Sequence, residues 1–422
     1  MAASGRLATA ARLWRKARLP PALRRSLSPM INWAQLKILR RYGVERPPAL
    51  MDVPPGPLIV SGFHSEVLGL GSAARATALV LQTAGFSPIL HDIGFVRTTA
   101  PYESAPFPSE DPGGVWIIHC NPPELERLLW AFRGGMLKDR YRIGIWAWEL
   151  EALPKDWIRM AGALNEIWAP SRFVADAINR SFLKDNVPAV PVKVMPHPLP
   201  QMAGIRSDRE RFGLAPDQFV VLTMFDVKST ASRKNPLAAI QAFNAAFTTG
   251  DRAVLICKVV SVNSDADALH ALHTAAAGRR DIVFMTEELS DSAVLSLIAS
   301  ADVVLSLHRS EGFGLVLAEA MRLRKAVIAT GWSGNMDFMD SDCAVIVPYT
   351  LEPVGSAQAH YKGGRWAEPN IEIAGKKLRE LYKNRALINA LGDAAFVRIA
   401  EHEKSFYTEL HQAPWRSKVS HR

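Results

Sequence analysis

Glu311 and Glu319 frame a short run, Gly312-Phe313-Gly314-Leu315, that follows one apolar stretch and enters another. Residues 303–307 are short and apolar enough to form a buried parallel strand, and 315–323 carries its apolar residues at helical spacing. Glu311 then sits in a strand-to-helix loop and Glu319 on the helix. Glycines at 312 and 314 let the backbone approach a ligand closely, while the helix start offers free N–H groups and a positive dipole end to a phosphate. Two carboxylates beside such a loop suit a nucleotide sugar. Each feature alone is ordinary, because a glutamate near a helix start commonly serves as a cap or dipole partner.

The cations such a ligand needs lie at Ser229-Thr230-Ala231-Ser232-Arg233-Lys234-Asn235-Pro236, between an apolar run and a helical one. Lys and Arg can neutralise charge developing on a leaving phosphate, and a fixed cation counts for more in a dry cleft than in water. Lys234 is the firmer candidate, with Arg233 or Lys228 as the second charge; the plain reading is a solvated basic loop. Lys258 closes another apolar run and ranks below Lys234 as a donor contact.

The first half of the chain is less charged. Gly62, Gly69 and Gly71 precede Ala73-Ala74-Arg75, but the third glycine of a dinucleotide fingerprint is missing and no acidic partner is evident. That leaves either a cleft wall or a simple tight turn. His119 ends an apolar run before Cys120-Asn121-Pro122, a place more often structural than catalytic. Trp146-Ala147-Trp148-Glu149 reads as an exposed aromatic pair with a carboxylate, suited to stacking on a sugar and hydrogen-bonding it, or as core with Glu149 at a helix start. Ser171 and Arg172 read as an N-cap and its neighbour. Nothing reads as a metal site: histidine pairs lack helical ligand spacing, and no Asp-x-Asp motif reads as a divalent-cation holder.

Positioning these groups requires alternating elements. Strands are expected at 58–61, 88–91, 115–119, 142–147, 166–169 and 192–195, with helices near 73–83, 124–132, 157–164 and 173–182. A second series follows, with strands at 219–223, 253–258, 282–285, 303–307, 326–329 and 344–347 and helices near 237–247, 265–277, 291–299 and 315–323; 371–402 is helical in pattern. Such alternation specifies an α/β chain with two doubly wound, Rossmann-like parallel sheets. The proline-dense run Pro196-His197-Pro198-Leu199-Pro200 marks their boundary. Ligands of such folds bind outside the carboxyl ends of the strands, so both domains can face one cleft.

At 422 residues, 48% hydrophobic and 22% charged, the chain has room for two full cores and the composition of a globular enzyme. No apolar run reaches the roughly 18 residues of a membrane span. The scattered cysteines Cys120, Cys257 and Cys343 fit a reducing, cytoplasmic setting. The net charge of +9 is local: residues 1–46 hold eleven Lys or Arg against Glu45 alone, leaving thirty-nine basic and forty acidic residues elsewhere. Leu7, Leu13, Trp14, Ile31, Trp33 and Leu36 interleave with those cations. This suits peripheral contact with an anionic membrane surface, where each cation adds about 1 kcal/mol; a mobile basic tail and a transit peptide are the rival readings. No recognised fold surrounds the basic residues, so no nucleic-acid partner is expected.

Glu-x7-Glu around a Gly-Phe-Gly turn, with Ser306-Leu307-His308-Arg309 before it and Ala329-Thr330-Gly331-Trp332-Ser333-Gly334-Asn335 after it, resembles the retaining glycosyltransferases of family 4. The resemblance covers residues 58 to about 400 and implies the two-domain GT-B fold. With the charge distribution and the proline boundary, it gives a basic segment and linker (1–50), an acceptor domain (51–200), a donor domain (201–385), and a helix and tail that the resemblance implies return to the first domain (386–422). It implies that Glu311 contacts the donor sugar and Glu319 the ribose, with Gly312, Phe313, Gly314, Leu315 and Lys258 lining the donor site. Lys234 and Arg233 become the diphosphate cations, although Phe225-Asp226 replaces the family's more usual Gly-Arg. It places Gly69, Gly71 and His119 near the donor, with Trp148 and Glu149 on the acceptor side. The run also resembles bacterial mannosyltransferases of polysaccharide assembly. GDP-mannose is therefore the favoured donor, with UDP-hexoses open, a saccharide or lipid-linked acceptor, and no cofactor. A nucleotide-sugar epimerase or a non-catalytic sugar-binding protein would share the fold.

Overall fold

The computed structural model describes residues 46–66, 69–97, 107–132, 137, 139–187, 189–355 and 361–420. The basic segment, apart from Arg46, lies outside them. Two six-stranded sheets dominate, ordered β2-β1-β3-β4-β5-β6 and β12-β11-β10-β7-β8-β9. The first contains β1 (Leu58–Gly62), β2 (Ile89–Asp92), β3 (Val115–His119), β4 (Tyr141–Ile145), β5 (Glu166–Ala169) and β6 (Val192–Val194). The second contains β7 (Phe219–Asp226), β8 (Ala253–Val260), β9 (Ile282–Met285), β10 (Val303–Ser306), β11 (Ala326–Thr330) and β12 (Val345–Val347). Every recorded pairing within them is parallel, as helical crossovers require.

The helices are α1 (Gly69–Thr83), α2 (Pro122–Ala131), α3 (Lys155–Ile158), α4 (Arg172–Asp185), α5 (Ala231–Lys234), α6 (Pro236–Ala246), α7 (Ala266–Ala276), α8 (Asp291–Ser300), α9 (Leu315–Arg322), α10 (Ile371–Lys383) and α11 (Arg385–Gln412). The two doubly wound parallel sheets expected from the alternation are thus present. Among the described residues, no helix is long and apolar enough to cross a membrane.

Two compact units emerge. The first takes the described residues to Ile145, Arg159–Ile167 and those from Pro414 onward; the second takes Trp146–Ile158 and Trp168–Ala413. In the first unit the end of the chain adds itself beside Gly56, which donates to Lys418 O at 3.0 Å and accepts from Ser420 N at 2.9 Å. Trp415 is buried there, its ring 5.9 Å from that of Phe86.

In the second unit, strand periodicity sorts the core into two layers. Phe219, Val221, Leu255, Val303 and Leu305 point to one face and pack with Ala238, Ile240 and Phe243 of α6 and Leu378 of α10. Val220, Leu222, Val254, Ile256 and Val304 point to the other, with Leu297 of α8, Leu317 and Met321 of α9 and Ile399 of α11. Burial on both faces makes these strands continuously apolar, which is why their type is legible in the sequence.

Three local expectations change. The single helix over 157–164 is the short α3 followed by a 3₁₀ segment, Arg159–Ala163, with Gly162 inside it. The helical pattern of 371–402 is interrupted at Asn384, whose backbone leaves the helical region and whose side chain caps α11 by accepting from Leu387 N at 3.1 Å. An antiparallel hairpin, β13 (Tyr349–Pro353) with β14 (Arg365–Pro369), also appears where the sequence suggested no element.

Candidate active site

The loop carrying Glu311 is held from several sides. Glu311 N donates to Ser333 Oγ at 2.7 Å, and Gly334 N donates to Glu311 O at 2.9 Å. Ser333 adopts φ 79°, ψ −151°, a region almost reserved for glycine, so these bonds hold a strained residue in place. A Cβ at Gly334 would lie 2.2 Å from Gly312 O, and one at Gly312 would lie 2.9 Å from Trp148 O. The two glycines therefore permit backbone-to-backbone packing. Ser171, the N-cap of α4, accepts from Val174 N at 3.2 Å and donates to Gly312 O at 2.7 Å.

Gly314, at φ 98°, turns the chain into α9 without a side-chain cap. The head of α9, beginning at Leu315, thus keeps N–H donors for an anion. Phe313 is expected to line the donor site, but its side chain is buried beside His197, Phe338 and His402. Its ring anchors the loop in the core.

The cation loop arrives on its own strained turn. Thr230 (φ 65°) and Asn235 (φ 53°) flank α5, and a β-branched residue in the left-handed region costs on the order of 1–3 kcal/mol. Asp226, where the family pattern has arginine, caps the preceding turn by accepting from Lys228 N at 3.0 Å. Lys228 itself is exposed. Lys234 Nζ and Arg233 Nη1 both reach Glu311, at 2.5 and 3.2 Å. Burial alone would raise the Glu311 carboxyl, but Lys234 and then Arg233 overrule it and hold its pKa at about 2. Arg309 braces this loop: it donates to Ser232 O at 2.6 Å and grips Glu368 of β14 at 2.6 and 3.0 Å.

Glu149 belongs to the same network. Its carboxylate lies 3.6 Å from Arg233 Nη2 and accepts from the Tyr361 hydroxyl at 3.2 Å, while its carbonyl accepts from Ser310 Oγ. The tryptophans before it are not an exposed pair. Trp146 is fully buried, and Trp148 is 5% exposed, donates to Ala152 O at 2.8 Å and packs edge-on against Trp157. The run is core, the other reading its sequence allowed, and neither ring is exposed for stacking. Tyr361, which sequence reasoning missed, is positioned by the hairpin near Trp148 and Trp366.

Glu319 lies on the buried side of α9, and burial, with some help from Asp291, pushes its pKa to about 8. Lys258 is buried, with Nζ donating to Glu287 O at 2.8 Å and Val259 O at 3.1 Å. Among the described residues no hydrogen bond joins it to the Glu311 network. His308 links Ser306 Oγ (3.0 Å) to Asn335 Oδ1 (3.1 Å), and Asn335 Nδ2 donates to Thr330 O at 3.1 Å. These neutral bonds tie the ends of β10 and β11 behind the loop.

In the first unit, Gly69 opens α1 and Gly71 lies in its first turn. A Cβ at Gly71 would meet Phe63 O at 2.5 Å and Glu66 O at 2.6 Å, so this glycine lets the loop after β1 close on the helix. Arg75 ties the same loop through His64 O and Glu66 O. His119 is buried at the end of β3, its Cβ 3.3 Å from where one on Gly62 would be. Beside it, Trp116 Nε1 donates to Ser61 Oγ, and Ser61 Oγ meets His91 Nδ1, both at 2.7 Å.

Among the described residues no group of three His, Cys, Asp or Glu is placed to hold a metal. Two Asp-x-Asp spacings do occur: Asp265 caps α7 and Asp340 pairs with Arg398.

Residues 206–352 match the family model described as "Glycosyl transferases group 1", and on that match the second unit houses a glycosyltransferase domain. No curated protein matches the sequence. Among solved structures, Anabaena Alr3699/HepE in complex with UDP and glucose is similar with TM-score 0.60 and 12% identity, over 84% of this chain and 98% of that one. A glycosyltransferase from Rickettsia africae ESF-5 gives TM-score 0.58 and 13% identity, over 86% and 97%. S. aureus TarM, as a point mutant in complex with fondaparinux, alpha-GlcNAc-glycerol and UDP, gives 0.51 and 13%, over 71% of this chain and 54%, about half, of its own length. At these identities the likeness is one of fold.

Proposed function

We propose that the protein is a retaining hexosyltransferase that moves a sugar from a nucleoside diphosphate to a saccharide or lipid-linked acceptor in surface glycan assembly. The observation carrying this reading is the meeting of Lys234, Arg233 and Glu311 beside the head of α9, where the Lys234–Glu311 contact is 2.5 Å. Cations and helix N–H groups suit a diphosphate; a carboxylate held ionised suits sugar hydroxyls. In this reading the bond from the anomeric carbon to the diphosphate oxygen breaks as the acceptor oxygen bonds to the same face. The acceptor's proton passes to the leaving phosphate. Lys234 stabilises that phosphate, Glu311 orients the sugar, and Glu319, protonated near neutrality, is available to the ribose hydroxyls.

The sequence run resembling mannosyltransferases supports GDP-mannose as the donor. The UDP and glucose in the HepE complex support a UDP-hexose as the competing choice. A thermal-shift panel of nucleotide sugars, followed by glycan extension with the best binder, decides between them. Acceptor-dependent extension is the expected result; donor conversion without any acceptor would replace it with an epimerase. We extend the proposal to peripheral attachment through residues 1–46 on a cytoplasmic membrane face. Their deletion should abolish binding to anionic vesicles, and unchanged binding would remove that part.

A further inference from the structure

Four side chains set the charge of the donor loop: Arg233 and Lys234 are balanced by Glu149 and Glu311, so the group is neutral before any ligand arrives. The two cations differ in access. The Lys234 side chain is 22% exposed and that of Arg233 only 4%. Arg233 is also committed, donating to Ser310 O (2.7 Å), Glu311 (3.2 Å) and Ser229 O (3.2 Å), with Glu149 3.6 Å away. Lys234 carries three donors, and among the described residues Glu311 is its ionic partner. An anion reaching the loop therefore meets Lys234, and on Lys234 it meets Glu311.

We propose that Glu311 is an exchangeable counter-ion: it occupies the place on Lys234 that the donor's diphosphate takes, while Glu149, fastened by Tyr361, keeps Arg233 neutralised throughout. The inference rests on the donor reading above. The backbone of Glu311 is pinned by Ser333 Oγ and Gly334 N, so the exchange needs only a side-chain rotation. A sugar nucleotide brings hydroxyls that can receive the released carboxylate. A bare nucleoside diphosphate has ribose hydroxyls but lacks those of a hexose attached to its diphosphate, and must displace Glu311 uncompensated. Glu311 thereby acts as a selectivity device that disfavours the sugarless product as well as a sugar contact. Glu149 and Tyr361 are positioning residues in this scheme, because they hold Arg233 when Glu311 leaves.

The test is calorimetric binding of UDP, GDP, UDP-glucose and GDP-mannose to the full chain. Glu311→Gln should bind the bare diphosphate about tenfold more tightly than wild type while losing sugar transfer. Glu311→Asp, which keeps the charge but shortens the reach, should shift the same way if Gln does not fold. The gain should vanish in a Lys234→Ala background. In Glu149→Gln, Glu311 becomes Arg233's remaining carboxylate, so the advantage of sugar nucleotide over bare diphosphate should fall several-fold. That ratio is insensitive to general destabilisation. Equal or weaker diphosphate binding by both Glu311 variants, with normal binding by wild type, would overturn the exchange and leave the donor reading intact. An unchanged ratio in Glu149→Gln would overturn the part given to Glu149. If no nucleotide binds wild type, the donor reading falls and takes the exchange with it.

Discussion

At the carboxyl end of β1, in the first unit, buried polarity is neutral: Ser61 Oγ joins His91 Nδ1 and Trp116 Nε1, His91 Nε2 has no hydrogen-bond partner among the described residues, and Phe107 and Phe132 pack around the imidazole. Beyond the end of β10, in the second, it is ionic: two cations and two carboxylates share one small volume. Neutral groups need only their hydrogen bonds, whereas buried charges need partners of opposite sign and are strongly destabilising when one is removed. The first arrangement is consistent with a rigid wall; the second is built around charge that a ligand can exchange.

Removing the ionic part should have the largest effect. Lys234→Ala is expected to lower turnover by about 10² to 10³, the usual scale for one electrostatic stabiliser, measured as kcat under saturating donor. Full activity would make the second unit's network purely structural. Next comes packing beneath it. Gly334→Ala forces a Cβ to within 2.2 Å of Gly312 O and should cost about 1–3 kcal/mol in denaturant unfolding, with a loss of transfer. Gly71→Ala, which meets carbonyls at 2.5 and 2.6 Å in the first unit, should match that stability loss without touching the charges.

Titration gives the stability of the chain two opposing pH dependences. Glu319 is raised from 4.5 to about 8, so the folded protein holds a proton that the unfolded chain releases above its ordinary value. Stability should therefore fall as pH rises from about 4.5 to about 8, by about 1 kcal/mol per pH unit, and Glu319→Gln should flatten that slope in melts across the range. His91 behaves oppositely. Burial lowers its pKa from 6.5 to about 4, with Asp92 opposing, so its contribution is complete above 6.5 and is lost as pH falls toward 4. His197 and His402 of the second unit, also lowered to about 4, add to the same acid-side loss. The smallest effect is expected for Ser61→Ala, which breaks the neutral triad and should cost about 1 kcal/mol. A much larger loss would mean that the first unit's polarity is as coupled as the second's.

Much of this was legible in the chain itself. The run from Val303 into Leu315 specified strand, glycine turn and helix locally, because apolar periodicity and glycine placement act within a few residues. The same local rules placed Lys234 before a helix and Ser171 at an N-cap. The partners were not legible. Glu149 and Tyr361 are 212 positions apart, and no local pattern announces that a hairpin will carry a tyrosine onto that carboxylate. Trp148 looked available for stacking because sequence cannot say which aromatic residue the core will claim. Side-chain type and spacing thus determined the alternating elements and the chemistry on offer. Tertiary packing decided which charges neutralise one another, since burial and Coulombic pairing depend on distances that only the folded chain sets.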